Sequence, residues 1–377
     1  MEKLYGPYCN NRRERFAEFL RENNIAAAVF EDTEGRRDPS VRYFTGQPGD
    51  AILVITAQAD AILCPWDENM AQEMAVVPRI IPLTHFRRNN VEAVKGLLKE
   101  LKVPVGSRID IPPVTPYPLF LKFVDALSDY TVLCREEGVH QHVADMRSIK
   151  DEYEINCIKK AAAITDGIID HLEEAIKDNK INTELDVALF IEKECRQQGC
   201  ERTGFETLAA GPDRSFGIHC FPPFTAGTFA DRGLSILDFG VVYQGYTSDV
   251  TLTVAREPLT QDQETQLELV QKAYDQALEL YKNGLPIHKA AEKADAVFAK
   301  GKRSMPHALG HSFGLEAHEW PTVRPTIDEK VVFKPGMVVT LEPGLYDLKN
   351  GGCRLENDIL ITEEGSEVIT HSRIIRF

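Results

Sequence analysis

Between residues 234 and 362 four carboxylates interrupt apolar, β-rich runs, and a buried charge without a partner is among the costliest features a fold can contain. They are Asp238, Asp249, Glu342 and Glu356. Leu234-Ser-Ile-Leu-Asp238 and Asp249-Val-Thr-Leu-Thr253 flank a turn near Tyr243-Gln244-Gly245, which predicts a hairpin. A centre between Tyr243 and Gln244 sets Asp238 directly opposite Asp249, with Cβ atoms roughly 4.5–5.5 Å apart. Carboxylates that close repel unless a cation or a shared proton lies between them. The alternatives are exposure beside the turn or pairing with a base. Glu342 and Glu356 follow the same logic: a hairpin centred on Lys349 sets them opposite, through an odd loop or bulge that Asn350-Gly351-Gly352 can supply. Taken singly, each Glu could instead be an edge-strand salt-bridge partner.

Between the two acidic pairs lies His307-Ala-Leu-Gly-His311-Ser-Phe-Gly-Leu-Glu-Ala-His318-Glu-Trp-Pro321, with three histidines inside twelve positions of a chain that holds ten. Imidazole is a common metal ligand and acid/base group near neutral pH, and Gly310 and Gly314 allow close backbone approach. Hard oxygen donors with one imidazole suit a divalent ion such as Mn²⁺, Co²⁺, Fe²⁺ or Zn²⁺, and four carboxylates carry charge enough for two ions. Two ions can bind a bridging hydroxide, polarise a carbonyl and steady a tetrahedral intermediate. Hydrolysis fits that equipment.

With 377 residues the chain exceeds the size at which one core usually stops growing, so two domains are expected. Its 43% hydrophobic and 27% charged residues are those of a globular protein. A net charge of −15 has the wrong sign for neutralising phosphates or adhering to anionic lipid, which argues against nucleic-acid and membrane partners. No stretch approaches the length of a membrane span and the polar amino terminus lacks a secretory core, so a cytoplasmic location is expected. The eight cysteines form no Cys-x-x-Cys pair and read as reduced, mostly buried thiols.

The first half reads as α/β. Helices are predicted over 10–24 and 91–101, strands over 26–30, 51–56 and 61–64, and a loop over the proline-rich 111–118. A boundary falls near 145, giving domains 1–145 and 146–377. Beyond it Asp151 and Glu154 cap a long helix, Thr183 begins another that ends at Gly199, and Thr260 with Gln263 opens a third whose apolar stripe runs to Tyr281 and ends at Gly284.

In order and spacing, Asp238 with Asp249, Gly310-His311, His318-Glu-x-Pro321, Thr340-x-Glu342-Pro-Gly344 and Arg354-x-Glu356 resemble the motifs of the pita-bread metallopeptidases. Val41-Arg-Tyr-Phe-Thr-Gly46 and Arg147-Ser-Ile-Lys150 resemble the amino domain and linker of their prolidase and Xaa-Pro aminopeptidase group. The resemblance implies a creatinase-type α/β amino-terminal domain followed by an α+β pita-bread catalytic domain. It implies hydrolysis of short peptides at an Xaa-Pro bond, an Xaa-Pro dipeptidase working through a metal-bridging hydroxide. Alternatives on the same fold are an Xaa-Pro aminopeptidase for longer peptides, a non-peptide hydrolase or lyase, or a ligand-binding protein.

Carried over by position, Asp238 binds one ion, Asp249 and Glu356 bridge two, and His311 and Glu342 complete the other shell. The ions implied are Mn²⁺ or Co²⁺ first, then Zn²⁺ or Fe²⁺. Glu342 also resembles the proton shuttle, His219 and His318 the substrate-facing histidines, and Arg354 a substrate-binding residue. A homodimer acting on short proline-containing peptides is implied as well. Ser312, Leu252 and Thr322 depart from the family pattern, the first standing where a third glycine is common, the second where many relatives carry Arg and the third where some microbial prolidases do. Each bears on substrate preference. Arg324 could replace the missing carboxylate clamp at Thr322, because residues two apart on an extended segment point the same way; it could equally be a surface arginine.

Overall fold

The computed structural model describes residues 4–377, and the chain divides into two compact units after Met146. In the first unit, helices α1 (Gly6–Glu22), α2 (Pro39–Thr45), α3 (Glu68–Met74), α4 (Asn90–Glu100) and α5 (Tyr117–Ala126) accompany a mixed sheet. Its strands are β1 (Ala27–Asp32), β2 (Ala51–Thr56), β3 (Ala61–Pro65), β4 (Arg79–Ile80), β5 (Arg108–Asp110) and β6 (Thr131–Leu133), in the order β4-β3-β2-β1-β5-β6. Val29, Ile52, Val54 and Ile62 of the central strands bury against Val94, Leu97 and Leu98 of α4. The helices and strands predicted for this half are present. The loop expected over 111–118 is shorter than predicted, because Pro116 is the N-cap of α5 and Pro118 falls in its first turn, where a missing N–H costs nothing.

Helix α6 (Val139–Ser148) carries the chain past the division. The second unit has helices α7 (Glu152–Lys177), α8 (Glu184–Gln197), α9 (Gln261–Leu278) and α10 (Ile287–Lys300). Capping boxes open three of them: Asp151 with Glu154, Thr183 with Asp186, and Thr260 with Gln263. The third predicted helix stops at Leu278, short of Gly284. Tyr281 lies beyond its end, fully buried, with its hydroxyl donating to the Thr340 carbonyl at 3.0 Å.

The strands of this unit are β7 (Arg202–Thr203), β8 (Leu208–Ala210), β9 (Gly233–Phe239), β10 (Val241–Tyr243), β11 (Tyr246–Thr247), β12 (Val250–Arg256), β13 (Gly310–Ser312), β14 (Glu319–Val323), β15 (Val338–Leu341), β16 (Gly344–Asp347), β17 (Gly351–Arg354), β18 (Asn357–Ile361), β19 (Ser366–Val368) and β20 (Ile374–Arg376). They build two main sheets, β20-β12-β9-β8 and β14-β13-β15-β18-β19, beside the smaller β11-β10-β7 and β16-β17. Strand alternation divides each sheet into an apolar and a polar face. Leu237, Phe239, Val250, Leu252 and Val254 turn to α7 and α8, which leaves Asp238, Thr251 and Thr253 on the other side. Val339, Leu341, Ile359 and Ile361 turn to α9 and α10, which leaves Thr340 and Asp358 opposite. The Glu356 N–H donates to the Thr251 carbonyl at 3.0 Å and joins the two sheets at their polar faces.

One register differs from expectation. The first hairpin closes on Gln244-Gly245, both at positive φ (53° and 90°), the primed type I turn that matches strand twist. Its centre is therefore one residue beyond the expected place, and Asp238 pairs with Thr251 instead of Asp249. The second hairpin has the expected register: Leu341 pairs with Asn357 and Gly344 with Arg354, around a three-residue loop after Asp347.

Candidate metal centre

Ligand atoms of Asp249, His311 and Glu356 all lie within 4.8 Å of one another, and all three residues are buried. Asp249 sits at the mouth of β12, Glu356 between β17 and β18, and His311 in the middle of β13. Glu342 follows β15 and joins them, with Oε1 3.2 Å from His311 Nε2, which is in turn 3.8 Å from Asp249 Oδ2. Asp238 comes from β9 through the Arg354 guanidinium, which donates to its Oδ2, while its Oδ1 is buried without a hydrogen-bond partner among the described residues. Three of the five expected ligands, Asp249, His311 and Glu356, thus cluster at the polar faces of the two sheets, with Glu342 beside His311.

Orientation comes from the surrounding backbone and hydroxyls. His311 Nδ1 lies 3.1 Å from the Ser312 carbonyl, which fixes the proton on that nitrogen and leaves the Nε2 lone pair for the centre. Thr340 Oγ1 accepts the His311 N–H at 3.1 Å and donates to Glu342 Oε1 at 3.2 Å. Thr251 Oγ1 donates to Glu356 Oε2 at 2.6 Å and accepts from Arg354 Nε at 2.8 Å. Gly310 makes the close approach possible, since a Cβ there would lie 2.1 Å from the Thr340 carbonyl oxygen.

The electrostatics call for a cation. Burial raises Asp249 well above the usual carboxylate range, and Glu356 and Asp238 push it further. Glu356 is raised likewise by burial, then by Glu342 and Asp238. Asp238 is raised by burial, though Arg354 and, more weakly, His219 oppose the shift. Glu342 goes the other way: burial would raise it, but the His311 hydrogen bond and the neighbouring cations hold it at about 2. Three buried carboxylates that resist ionising together, one imidazole and an orphaned carboxylate oxygen are donors suited to divalent ions.

The remaining expected residues separate. The His318 ring lies against that of His311, tilted by 43° with centroids 4.1 Å apart, and is itself exposed. His219 is exposed on the loop after β8, next to Ile218, whose carbonyl accepts from Arg354 NH1 at 3.0 Å. His307 lies outside the ligand cluster, with Nε2 3.0 Å from the Tyr346 hydroxyl. Arg324 is exposed just past β14 and has no ion pair or side-chain hydrogen bond among the described residues. Arg354 was expected at the substrate. It is instead 2% exposed, with four of its five N–H donors engaged by Asp238, Thr251, Tyr346 and the Ile218 carbonyl. Thr251, Tyr346 and Asp358 were not anticipated, and Thr340 only as part of a motif, without its role. Asp358 stands two residues after Glu356 on the same face and accepts the Asp249 N–H at 3.2 Å.

The model of metallopeptidase family M24 matches residues 156–363, and that of the creatinase/prolidase N-terminal domain residues 12–149. The chain belongs to metallopeptidase family M24 and has its two-domain pita-bread fold. It is 30% identical over 372 residues to the Xaa-Pro dipeptidase of Pyrococcus horikoshii, an alignment spanning 96% of this chain and 97% of the relative. Among solved structures it is similar to the X-Pro aminopeptidase of Thermotoga maritima (TM-score 0.84, 25% identity, 97% of this chain and 99% of the other). It is also similar to the prolidase of Pyrococcus furiosus (TM-score 0.79, 26% identity, 94% and 99%).

Proposed function

We propose that this protein is an Xaa-Pro dipeptidase that holds two divalent ions, Mn²⁺ or Co²⁺ first, between Asp238, Asp249, His311, Glu342 and Glu356. What carries the reading is the convergence of Asp249, His311 and Glu356 within 4.8 Å, in a chain similar over nearly its whole length to Xaa-Pro dipeptidases. Bound metal supplies Lewis acidity, lowering the pKa of water and polarising a carbonyl. The side chains do the rest. Glu342, held through Oε1 by the Thr340 hydroxyl, takes a proton from the attacking water before returning it to the departing amine. His318 and His219 hold the substrate and stabilise charge that appears only in the transition state. Arg354 acts as a positioning residue, setting Asp238 directly and Glu356 through Thr251.

The test is a panel of Xaa-Pro dipeptides, Xaa-Pro-Yaa tripeptides and proline-free dipeptides, assayed after chelation and reloading with Mn²⁺, Co²⁺ or Zn²⁺. Metal-dependent cleavage confined to the Xaa-Pro dipeptides is expected. Equal turnover of proline-free peptides, or activity that survives chelation, would overturn the reading.

The exposed, unpaired Arg324 lies two residues past Thr322, which pairs with His311, and we assign it to the substrate's terminal carboxylate. Arg324→Ala should then raise KM for dipeptides by the equivalent of about 1.5–3 kcal/mol and spare amidated ones. Equal effects on both would favour the aminopeptidase alternative. The eight free thiols support a reducing, cytoplasmic setting. A homodimer is supported by α5, which exposes Tyr117, Leu121 and Val124 at 71%, 48% and 42% along one side. Light scattering of Leu121→Asp tests that surface, and an unchanged molar mass would exclude it.

A further inference from the structure

Arg147, Lys150 and Glu319 form a buried charged cluster that none of the steps above uses. Their side chains are 9%, 0% and 5% exposed. Arg147 NH2 donates to Glu319 and, at 2.9 Å, to Glu316, while Lys150 Nζ lies 3.4 Å from Glu319 Oε2. Lys150 also donates to Ser312 Oγ at 2.8 Å, and the Ser312 hydroxyl donates to the Val338 carbonyl at 3.0 Å. Glu319 Oε1 in turn accepts the N–H groups of Leu315 and Glu316, at 2.9 and 3.2 Å. The segment between His311 and His318 is thereby closed on one carboxylate, with the two histidines at its ends.

A buried ion cluster is a poor way to gain stability, because well-packed apolar side chains of similar size often do as well or better; a role in fixing geometry accounts for it. His318 needs such help. It is exposed and makes no side-chain hydrogen bond among the described residues, so its ring position comes from the backbone that carries it and from its tilted contact with the His311 ring. Glu319 is the next residue, and the turn leading into His318 hangs on its carboxylate.

We propose that Glu319, clamped by Arg147 and Lys150, is the positioning residue for His318, holding that imidazole against the substrate through the 313–318 turn. The proposal rests on the reading of His318 as substrate-facing. Gly314 offers a way to displace the carboxylate at constant charge, since a Cβ there would lie 3.0 and 3.1 Å from Glu319 Oε1 and Oε2.

The experiment measures kcat and KM for an Xaa-Pro dipeptide, bound Mn²⁺ per chain and melting temperature. It compares the Mn²⁺-loaded parent protein with Gly314→Ala, Glu319→Asp, His318→Ala and the double variant Gly314→Ala/His318→Ala. Gly314→Ala and Glu319→Asp should keep full metal, lose roughly ten-fold or more in kcat and change KM less than about two-fold, the pattern of an interaction made in the transition state. In the His318→Ala background, Gly314→Ala should have almost no further effect, because the group it mispositions is already gone. A merely structural role would lower kcat equally in both backgrounds, and that result overturns the proposal. Parent-like kcat in Gly314→Ala and Glu319→Asp beside a crippled His318→Ala also overturns it while leaving the role of His318 intact. Parent-like kcat in His318→Ala would instead sink the underlying reading.

Discussion

A carboxylate inside an apolar strand is a visible anomaly in a sequence, and it is what singles out Asp238, Asp249, Glu342 and Glu356 as proposed ligands. Asp249 and Glu356, at 4% and 2% exposure, are the deepest of the five and meet His311 from opposite sheets. Asp249→Ala or Glu356→Ala should therefore abolish turnover and reduce bound metal from two ions per chain to one or none. The fold should remain, because each change also removes a carboxylate that burial and its neighbours disfavour as an anion. Metal analysis beside circular dichroism checks this, and a variant keeping both ions and normal turnover would remove that residue from the centre. The residues that orient the ligands were not legible, because a threonine in a strand is ordinary. Thr251 and Asp358 differ from a common strand Thr and a surface Asp only in sharing the alternation of Asp249 and Glu356, which has meaning once the register is known. Arg354 was placed at the substrate by resemblance alone, and only its four protein partners show where its donors go.

Among the elements, the first hairpin shows what tolerates error. Moving its centre by one residue changes each cross-strand partner by two, so Asp249 keeps the face of Asp238 although it loses the directly opposed position. The expectation failed on turn chemistry, since Gly245 accepts a positive φ freely and a primed turn fits the twist. At β13 there is no such latitude. Gly310→Ala would force a Cβ against the Thr340 carbonyl, so it should cost more than the roughly 0.5–3 kcal/mol of a typical substitution and weaken metal binding through His311. Denaturant unfolding with and without Mn²⁺ measures both effects, and parent-like midpoints would show that the strands can part cheaply. The Glu319 clamp gives a pH signature as well. Burial alone would raise this carboxyl, but Arg147, Lys150 and the Glu316 N–H outweigh it and hold it below its ordinary value of 4.5. A depressed carboxyl contributes stability that is fully present above the unfolded pKa and is lost as pH falls through the folded one. The stability gap between the parent protein and Glu319→Gln should therefore be constant above about pH 4.5 and shrink below it. A gap independent of pH down to acid unfolding would mean that the charge of Glu319 contributes nothing.

For the molecule as a whole, every proposed ligand lies beyond Met146, on sheets whose other faces are covered by α7 to α10, while the α/β unit before it has a core of its own. Two domains were legible from length and from the change of pattern near 145, and the internal order of the sheets was not, because pairing between distant strands leaves no local trace. Metal should therefore act on stability through the second unit. An ion that binds only the folded centre stabilises it by about 2.7 kcal/mol at a free concentration one hundred times its Kd. For a unit of this size that corresponds to a rise of roughly 5–10 °C in melting temperature. Hydrogen exchange can locate the effect. Reloading the chelated protein with Mn²⁺ should slow exchange in β9, β12, β15 and β18, where the acidic ligands are carried or flanked, and leave β1, β2 and β3 unchanged. Protection gained equally by all seven strands would mean that the two units open together. No change in either melting or exchange would mean that the five side chains hold no ion at all, and the catalytic reading would fall with it.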